Sequence, residues 1–306
     1  MQAYILRRVL WVIPLLLGVS LITFLLMHAV PGGPFSREKQ LPPRVVENIN
    51  AKYHLDDPIW KQYGNYVWGI VSRLDLGPSY SSTTVSVNDI IRRHLPISAQ
   101  LGAMALGLAI AVGVPLGVIS ALRQNTLVDY SSMFVAVLGV SIPSLALGPL
   151  LVWLFGLKLD LLPVALWGGP NHWLLPTVTL AAGSTALIAR LTRASLLQVV
   201  REDYIRTARA KGIAESWIII RHAMRNALIP VVTVIGPLFA NLVTGTLVVE
   251  KIFAIPGLGK FFVDSITARD YPVIMGTVLL FATVIIVANL IVDIAYVFLD
   301  PRIKYT

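Results

Sequence analysis

Five histidines, at positions 28, 54, 94, 172 and 222, are the side chains best suited to metal binding or proton transfer in this 306-residue chain. No two of them have the spacing of a His-x-x-x-His pair, so none can share a metal on one helix face. Cysteine is absent, which removes disulfides, thiol nucleophiles and thiolate-held metal. Paired carboxylates inside an apolar stretch are also missing, and with them the acid–base arrangement of a membrane-embedded enzyme. A nucleotide loop needs Gly-x-x-x-x-Gly-Lys-Ser/Thr, whose backbone amides cradle phosphate and whose hydroxyl meets magnesium. The nearest segment, Gly257-Leu258-Gly259-Lys260-Phe261, has Ala254 where the first glycine belongs and Phe261 where the hydroxyl belongs. The sequence predicts no catalytic residue, no metal and no cofactor in this chain.

The remaining chemistry belongs to polar groups set in apolar surroundings, so the elements that carry them come next. The chain is 56% hydrophobic and 13% charged, with a mean hydropathy of +0.74, far from the roughly 25% charge of a soluble domain. Its charges leave six uncharged runs of at least 22 residues: 9–36, 94–122, 130–157, 161–189, 226–249 and 271–292. About 20 apolar residues cross a hydrocarbon core of about 30 Å, so each run holds one membrane helix. The spans are expected near 9–30, 96–122, 130–156, 173–198, 227–250 and 272–299. The stretch from Val9 to Val30 is longer than a signal-peptide core and no Ala-x-Ala site follows it, so it reads as an uncleaved helix.

The net charge of +9 comes from 25 basic and 16 acidic residues. These basic residues flank the spans and set topology, and no folded basic domain remains to bind nucleic acid. Both termini inside places Arg7, Arg8, Arg123, the eight basic residues from Arg190 to Arg225, Arg302 and Lys304 on the cytoplasmic side. The first outer loop, 31–95, carries eight more, but long loops weigh little in this rule. Within that loop Trp60, Tyr63, Val67, Val71 and Leu74 form a stripe at helical spacing, with Lys61, Asn65 and Arg73 off it. This predicts an amphipathic helix, either resting at the lipid headgroups or forming a lid or docking surface over the outer mouth. Asp75-Leu76-Gly77-Pro78-Ser79 is expected to end it.

The polar residues inside the spans are candidates for lining a passage. They are Gln100, Ser141 and Ser144 around Pro143, Ser184 and Thr185, Asn241 and Thr244, Asn289 and Asp293. The hydroxyls could equally bond their own helix backbone, and the amides could join helices. Asp293 lies near the cytoplasmic end of span six, where a structural or backbone contact near an inner gate is favoured over a proton relay. Pro14, Pro115, Pro143 and Pro149 interrupt apolar helices, and Gly113-x-x-x-Gly117 offers a face for close helix packing.

The stretch 200–226 has a different pattern. Glu202 and Asp203 suit a helix start, Arg206, Arg209 and Lys211 suit its end, and Gly212 is the expected stop. A second helical stretch follows through Trp217 to Arg225, before Pro230 opens span five. An elbow both apolar and basic suits docking on another protein; a basic helix lying on the membrane surface is the alternative.

Asp203-Tyr204-Ile205-Arg206-Thr207-Ala208-Arg209-Ala210-Lys211-Gly212, followed by Arg221-His222-Ala223-Met224-Arg225-Asn226-Ala227-Leu228-Ile229-Pro230, resembles the EAA loop of inner-membrane permease subunits of ABC importers, in the dipeptide, oligopeptide and nickel branch. Arg7-Arg8, His54-Leu55-Asp56-Asp57-Pro58, Asp75 to Ser79, Pro256-Gly257-Leu258-Gly259, Arg269-Asp270-Tyr271-Pro272 and Asp300-Pro301-Arg302 fit the same branch, so the resemblance runs the length of the chain. It departs where the broad motif has Glu-Ala-Ala, since Arg206-Thr207-Ala208 stands there.

The resemblance implies an all-α integral membrane protein of six spans with both termini inside and a coupling-helix elbow between spans four and five. It implies a pathway subunit that imports dipeptides or oligopeptides, with nickel chelates, glutathione or another small solute as alternative cargo. The implied partners are a second homologous permease, two cytoplasmic ABC ATPases that carry ATP and magnesium, an external substrate-binding protein, and membrane lipid. Asp203, Arg206, Ala208, Arg209, Ala210, Lys211 and Gly212 would dock on an ATPase, with Ala208 and Ala210 keeping the helix thin for close approach. The loop at Pro256, Gly257, Leu258 and Gly259 would face the binding protein. A secondary transporter needing no ATP is the alternative class; it would explain the spans and give Asp293 an ion-relay role, but has no use for the elbow.

Overall fold

The computed structural model describes residues 2–31, 34, 50, 51, 53–82 and 84–299. Those residues are almost wholly helical, and the only bridge of extended backbone among them pairs Pro78 with Ser86. Five helical stretches are long and apolar enough to cross a membrane, and a sharply bent pair makes a sixth if it counts as one span. The chain groups into two compact units, Met1–Ile97 with Gly257–Ile286 and Ser98–Pro256 with Val287–Thr306.

In the first unit, α1 (Gln2–Ala29) accommodates Pro14 without a break. Helix α2 (Ile59–Arg73) is the expected amphipathic helix, but its stripe divides. Tyr63 packs with the neighbouring Tyr66 against Phe24, Met27 and Met275, whereas Trp60, Val71 and Leu74 are exposed. The helix ends at Leu74, which itself adopts the left-handed conformation at φ 52°; the expected stop residues, Gly77 and Pro78, follow three and four positions later. Helix α3 (Val87–Leu122) begins nine residues before the expected span. Its 36 residues measure about 54 Å, well beyond the hydrocarbon core.

The second unit contains the rest of α3 and the helices up to Ile252. Helix α4 (Leu127–Ser141) is capped by Thr126, whose side chain accepts from the Asp129 amide. It stops because Pro143 disfavours helical backbone at the residue before it, and Ile142 is extended at φ −102°, ψ 113°. Helix α5 (Ser144–Leu151) restarts at 103° to α4 and continues into a π-helical turn, Val152–Lys158. The expected third span is therefore a broken one, and Pro143 is where it breaks; Pro115 and Pro149 sit inside continuous helices.

Helix α6 (Pro170–Val199), opened by a proline that needs no donor at its first turn, is the most buried of the spans. It packs against α3 through the two expected glycines. A Cβ on Gly113 would lie 2.8 Å from the Thr185 carbonyl oxygen, and one on Gly117 would lie 2.5 Å from that of Ala189. Helix α7 (Asp203–Ala210) is followed by a composite of Glu215–Trp217, a π segment at Ile218–Ala223, and Met224–Ala227. Helices α8 (Ile229–Thr244) and α9 (Leu247–Ile252) make up the fifth span.

Helix α10 (Leu258–Ala268) belongs to the first unit, and α11 (Tyr271–Leu299) is the last span. The loop expected at Pro256 to Gly259 thus gives way to helix at Leu258. Asp300-Pro301-Arg302 lies outside the described residues.

Candidate functional site

The elbow forms as a short helix turned back by a glycine. Ile205 and Ala208 face inward and join Leu196, Ile218, Ile219 and Ala223 in a buried cluster. The other residues of α7 are exposed, so the helix shows Asp203, Arg206, Thr207 and Ala210 to its surroundings, with Lys211 following. Ala208, expected to thin the helix for approach to an ATPase, packs instead into the unit's own core, so its side chain offers no outer surface. Gly212 has φ +73° with no heavy atom within 4 Å of where a Cβ would sit. It is required for backbone conformation and not for space.

Two ion pairs fix the elbow's polar side. Arg206 reaches Asp203 at 3.5 Å, with both largely exposed. Arg209 makes a two-pronged contact with Glu215, Nε to Oε2 at 3.0 Å and Nη2 to Oε1 at 2.6 Å. The Arg209 hydrogen bonds hold the Glu215 carboxyl below the ordinary carboxylate range, and Glu215 in turn raises the guanidinium. Because Arg209 is tied across the Gly212 turn, the cations left unpaired by acids within the described elbow are Arg201, Lys211 and, past the turn, Arg221 and Arg225. Arg221 stacks over Trp217 at 5.6 Å, and Asn226 donates to the Tyr204 hydroxyl at 2.8 Å.

Of the expected passage residues, the structure brings two together. Ser184 of α6 and Asn241 of α8 line one open groove of about 320 Å³ with Gly183, Leu187, Leu238 and Gly245. Thr244 is one turn from Asn241, and its hydroxyl donates to the Ala240 carbonyl at 2.9 Å. Ser141 likewise donates to Val137, at 3.1 Å. Gln100 is exposed on α3 and outside the groove, and Asn289 is half-buried on α11. The side chain of Asp293 lies outside the described residues.

The stretch Pro256, Gly257, Leu258 and Gly259, expected to be a loop facing a binding protein, runs into a helix from Leu258 and offers little outer surface. Only Pro256 is exposed. Leu258 fills the core of the first unit with Val87, Ile90 and Val273, because a helix starting at that residue turns it inward. Gly257 and Gly259 are buried beside it.

Three polar constellations were not expected from the sequence. Asp129 is 2% exposed and accepts from the Ser120 hydroxyl, from the Asn125 amide at 2.9 Å, and from Arg193 at 2.9 and 2.8 Å. This bidentate pair ties α3, α4 and α6. Its local signal was the Thr126-x-x-Asp129 capping spacing; Arg193 had been grouped with the topology-setting cations. Glu250, fully buried, accepts from the Ser98 hydroxyl at 2.5 Å. Asp270 accepts from the Ser79 hydroxyl at 2.5 Å and from the amides of Tyr80 and Ser81 at 3.1 and 2.9 Å. Two of the motifs quoted for the family resemblance, 75–79 and 269–272, meet through that one carboxylate.

With this geometry in place, comparison with known proteins adds the following. The family described as "Binding-protein-dependent transport system inner membrane component" matches residues 113–305, and its N-terminal companion matches residues 1–102. The dipeptide transport system permease protein DppB of Bacillus subtilis is 48% identical over 304 residues, covering 99% of this chain and 98% of that protein. The oligopeptide transport system permease protein OppB of Escherichia coli K12 is 44% identical, with both chains covered completely. Among solved structures, a chain of the inward-facing MetNI methionine ABC transporter gives a TM-score of 0.56 at 16% identity, covering 69% of this chain and 96% of that one. A chain of an amino acid ABC transporter crystallised with histidines gives 0.52 at 16%, covering 71% and 95%. These last two are likenesses of fold.

Proposed function

The chain belongs to the family of inner-membrane components of binding-protein-dependent transport systems, and on that premise we propose that it forms part of the passage of an ATP-driven peptide importer. It is a multi-pass inner-membrane protein and a transport subunit. Dipeptides or oligopeptides are the cargo, on the strength of two full-length relatives named for those substrates at 48% and 44% identity.

ATP and magnesium bind on separate cytoplasmic ATPases, and the elbow 200–226 docks one of them. What supports this reading is α7 itself: a helix held from inside by Ile205 and Ala208, exposed on its other faces, and turned back at Gly212. Asp203, Arg206, Arg209, Ala210 and Lys211 form or flank the exposed surface, while Ala208 and Gly212 set its position. A second homologous permease completes the passage, with the groove at Ser184 and Asn241 as this chain's contribution to its wall. An external binding protein delivers the peptide. Both termini lie in the cytoplasm, following the basic residues.

The test is Gly212→Val in the assembled transporter. A Cβ meets no atom there, so the cost is the left-handed backbone, about 1–2 kcal/mol, and the protein should still insert. ATP hydrolysis should persist while peptide uptake per ATP falls severalfold. Unchanged uptake per ATP would show that the elbow does not transmit the stroke.

A further inference from the structure

Within the first unit, the end of α1, Tyr53 and His54, helix α2, the segment 76–80 and the start of α11 line a half-open cavity of about 280 Å³. Its walls are largely rings. Phe24 lies 4.2 Å from His28, His28 lies 5.4 Å from Tyr271, and Tyr271 lies 6.5 Å from Tyr80. No acid, lysine or arginine is among its described lining residues.

Two polar atoms give the cavity a direction. Tyr66 lines it, and the Tyr66 hydroxyl is buried with no hydrogen-bond partner among the described residues, a state native proteins rarely leave unanswered. His28 Nδ1 lies 2.8 Å from the Phe24 carbonyl. A carbonyl only accepts, so that nitrogen holds the proton, and Nε2 of the neutral ring is an acceptor. Burial pushes the Tyr66 hydroxyl above its ordinary pKa, and burial together with Asp270 pushes Tyr80 up to about 12. Both phenols therefore remain protonated donors at neutral pH.

Size and charge select the ligand. An apolar cavity of about 150 Å³ takes one benzene ring, so 280 Å³ suits two fused rings. A peptide's charged termini would meet no countercharge among these residues, which separates this cavity from the transported cargo. We propose that it binds an uncharged two-ring aromatic molecule bearing one hydrogen-bonding group, which accepts from the Tyr66 hydroxyl and, where it carries a proton, donates to His28 Nε2.

The test uses the full chain with the subunits that co-purify with it, reconstituted in lipid nanodiscs and dialysed against naphthalene, quinoline and 2-naphthol. Empty nanodiscs report partitioning into lipid. Saturable binding above that background is expected, with quinoline and 2-naphthol about three- to tenfold tighter than naphthalene. Tyr66→Phe keeps the ring and should erase that advantage while leaving naphthalene unchanged. Met275→Trp should fill the space and abolish saturable binding of all three. Uptake equal to that of empty nanodiscs would overturn the proposal. So would saturable binding in which Tyr66→Phe leaves the order of the three probes intact, and that variant decides the matter even if Met275→Trp fails to fold.

Discussion

Asp129 shows how much a single side chain carries in this protein. A carboxylate 2% exposed is tolerable only because a guanidinium, a hydroxyl and an amide use its lone pairs. Removing one partner leaves a buried charge uncompensated, at a cost of about 3–5 kcal/mol, whereas removing both together costs much less. Asp129→Asn and Arg193→Met should each lower the thermal midpoint of the purified protein by several degrees, and the double variant should recover part of the loss. Additive losses would mean that the two residues act independently. This pair was hidden in the sequence because its members stand 64 positions apart, and cations near span ends are first read as topology signals. Gly212 was legible for the opposite reason: its requirement is local, a left-handed turn just after a cation-ended helix. Tyr66, off the written stripe, could be recognised only once α1 and α11 were seen packed on α2.

At the scale of elements, the long helices of the described residues lie within a few residues of the apolar runs, except where a helix extends past its run or breaks. Residues 87–95, with Asp89, Arg92 and Arg93, looked like loop because they are charged, yet charge excludes a segment from lipid and not from a helix. Pro143 was visible as a break, but not the 103° angle of the turn made there. The elbow is joined across Gly212 by Arg209 and Glu215, and this joint depends on pH. The folded carboxyl titrates below its ordinary value of 4.5, so its contribution is complete above that value and is lost as pH falls through the lower folded value. Both partners are 40–60% exposed, which limits the effect to about 1 kcal/mol or less, weaker still in salt. Hydrogen exchange of amides 209–217, corrected for intrinsic rates, should hold steady from pH 7 to 5 and rise below about 4.5. Glu215→Gln should flatten that rise; an unflattened profile would assign it to other groups.

At the largest scale, the chain groups into two compact units. Asp270 lies within the first and holds 79–81 by one hydroxyl and two amides. Asp270→Asn should lose about 2 kcal/mol of charge-assisted bonding and speed proteolysis at 77–82 severalfold. Cleavage elsewhere, around α4 and α6, should stay at the wild-type rate; a general rise would mean that the chain opens as one body. The π segment Ile218–Ala223 belongs to this largest scale as well. A wide turn packs one more residue into the path than an α-helical turn would, and one residue amounts to about 100° around a helix axis. The turn before Ile218 is therefore wound out of phase with the residues from Met224 onward by a fixed angular increment. If that surplus residue moves along the stretch, each amide it passes exchanges its acceptor five residues back for the one four back, and the faces on either side rotate against each other, as a worm gear advances one tooth at a time.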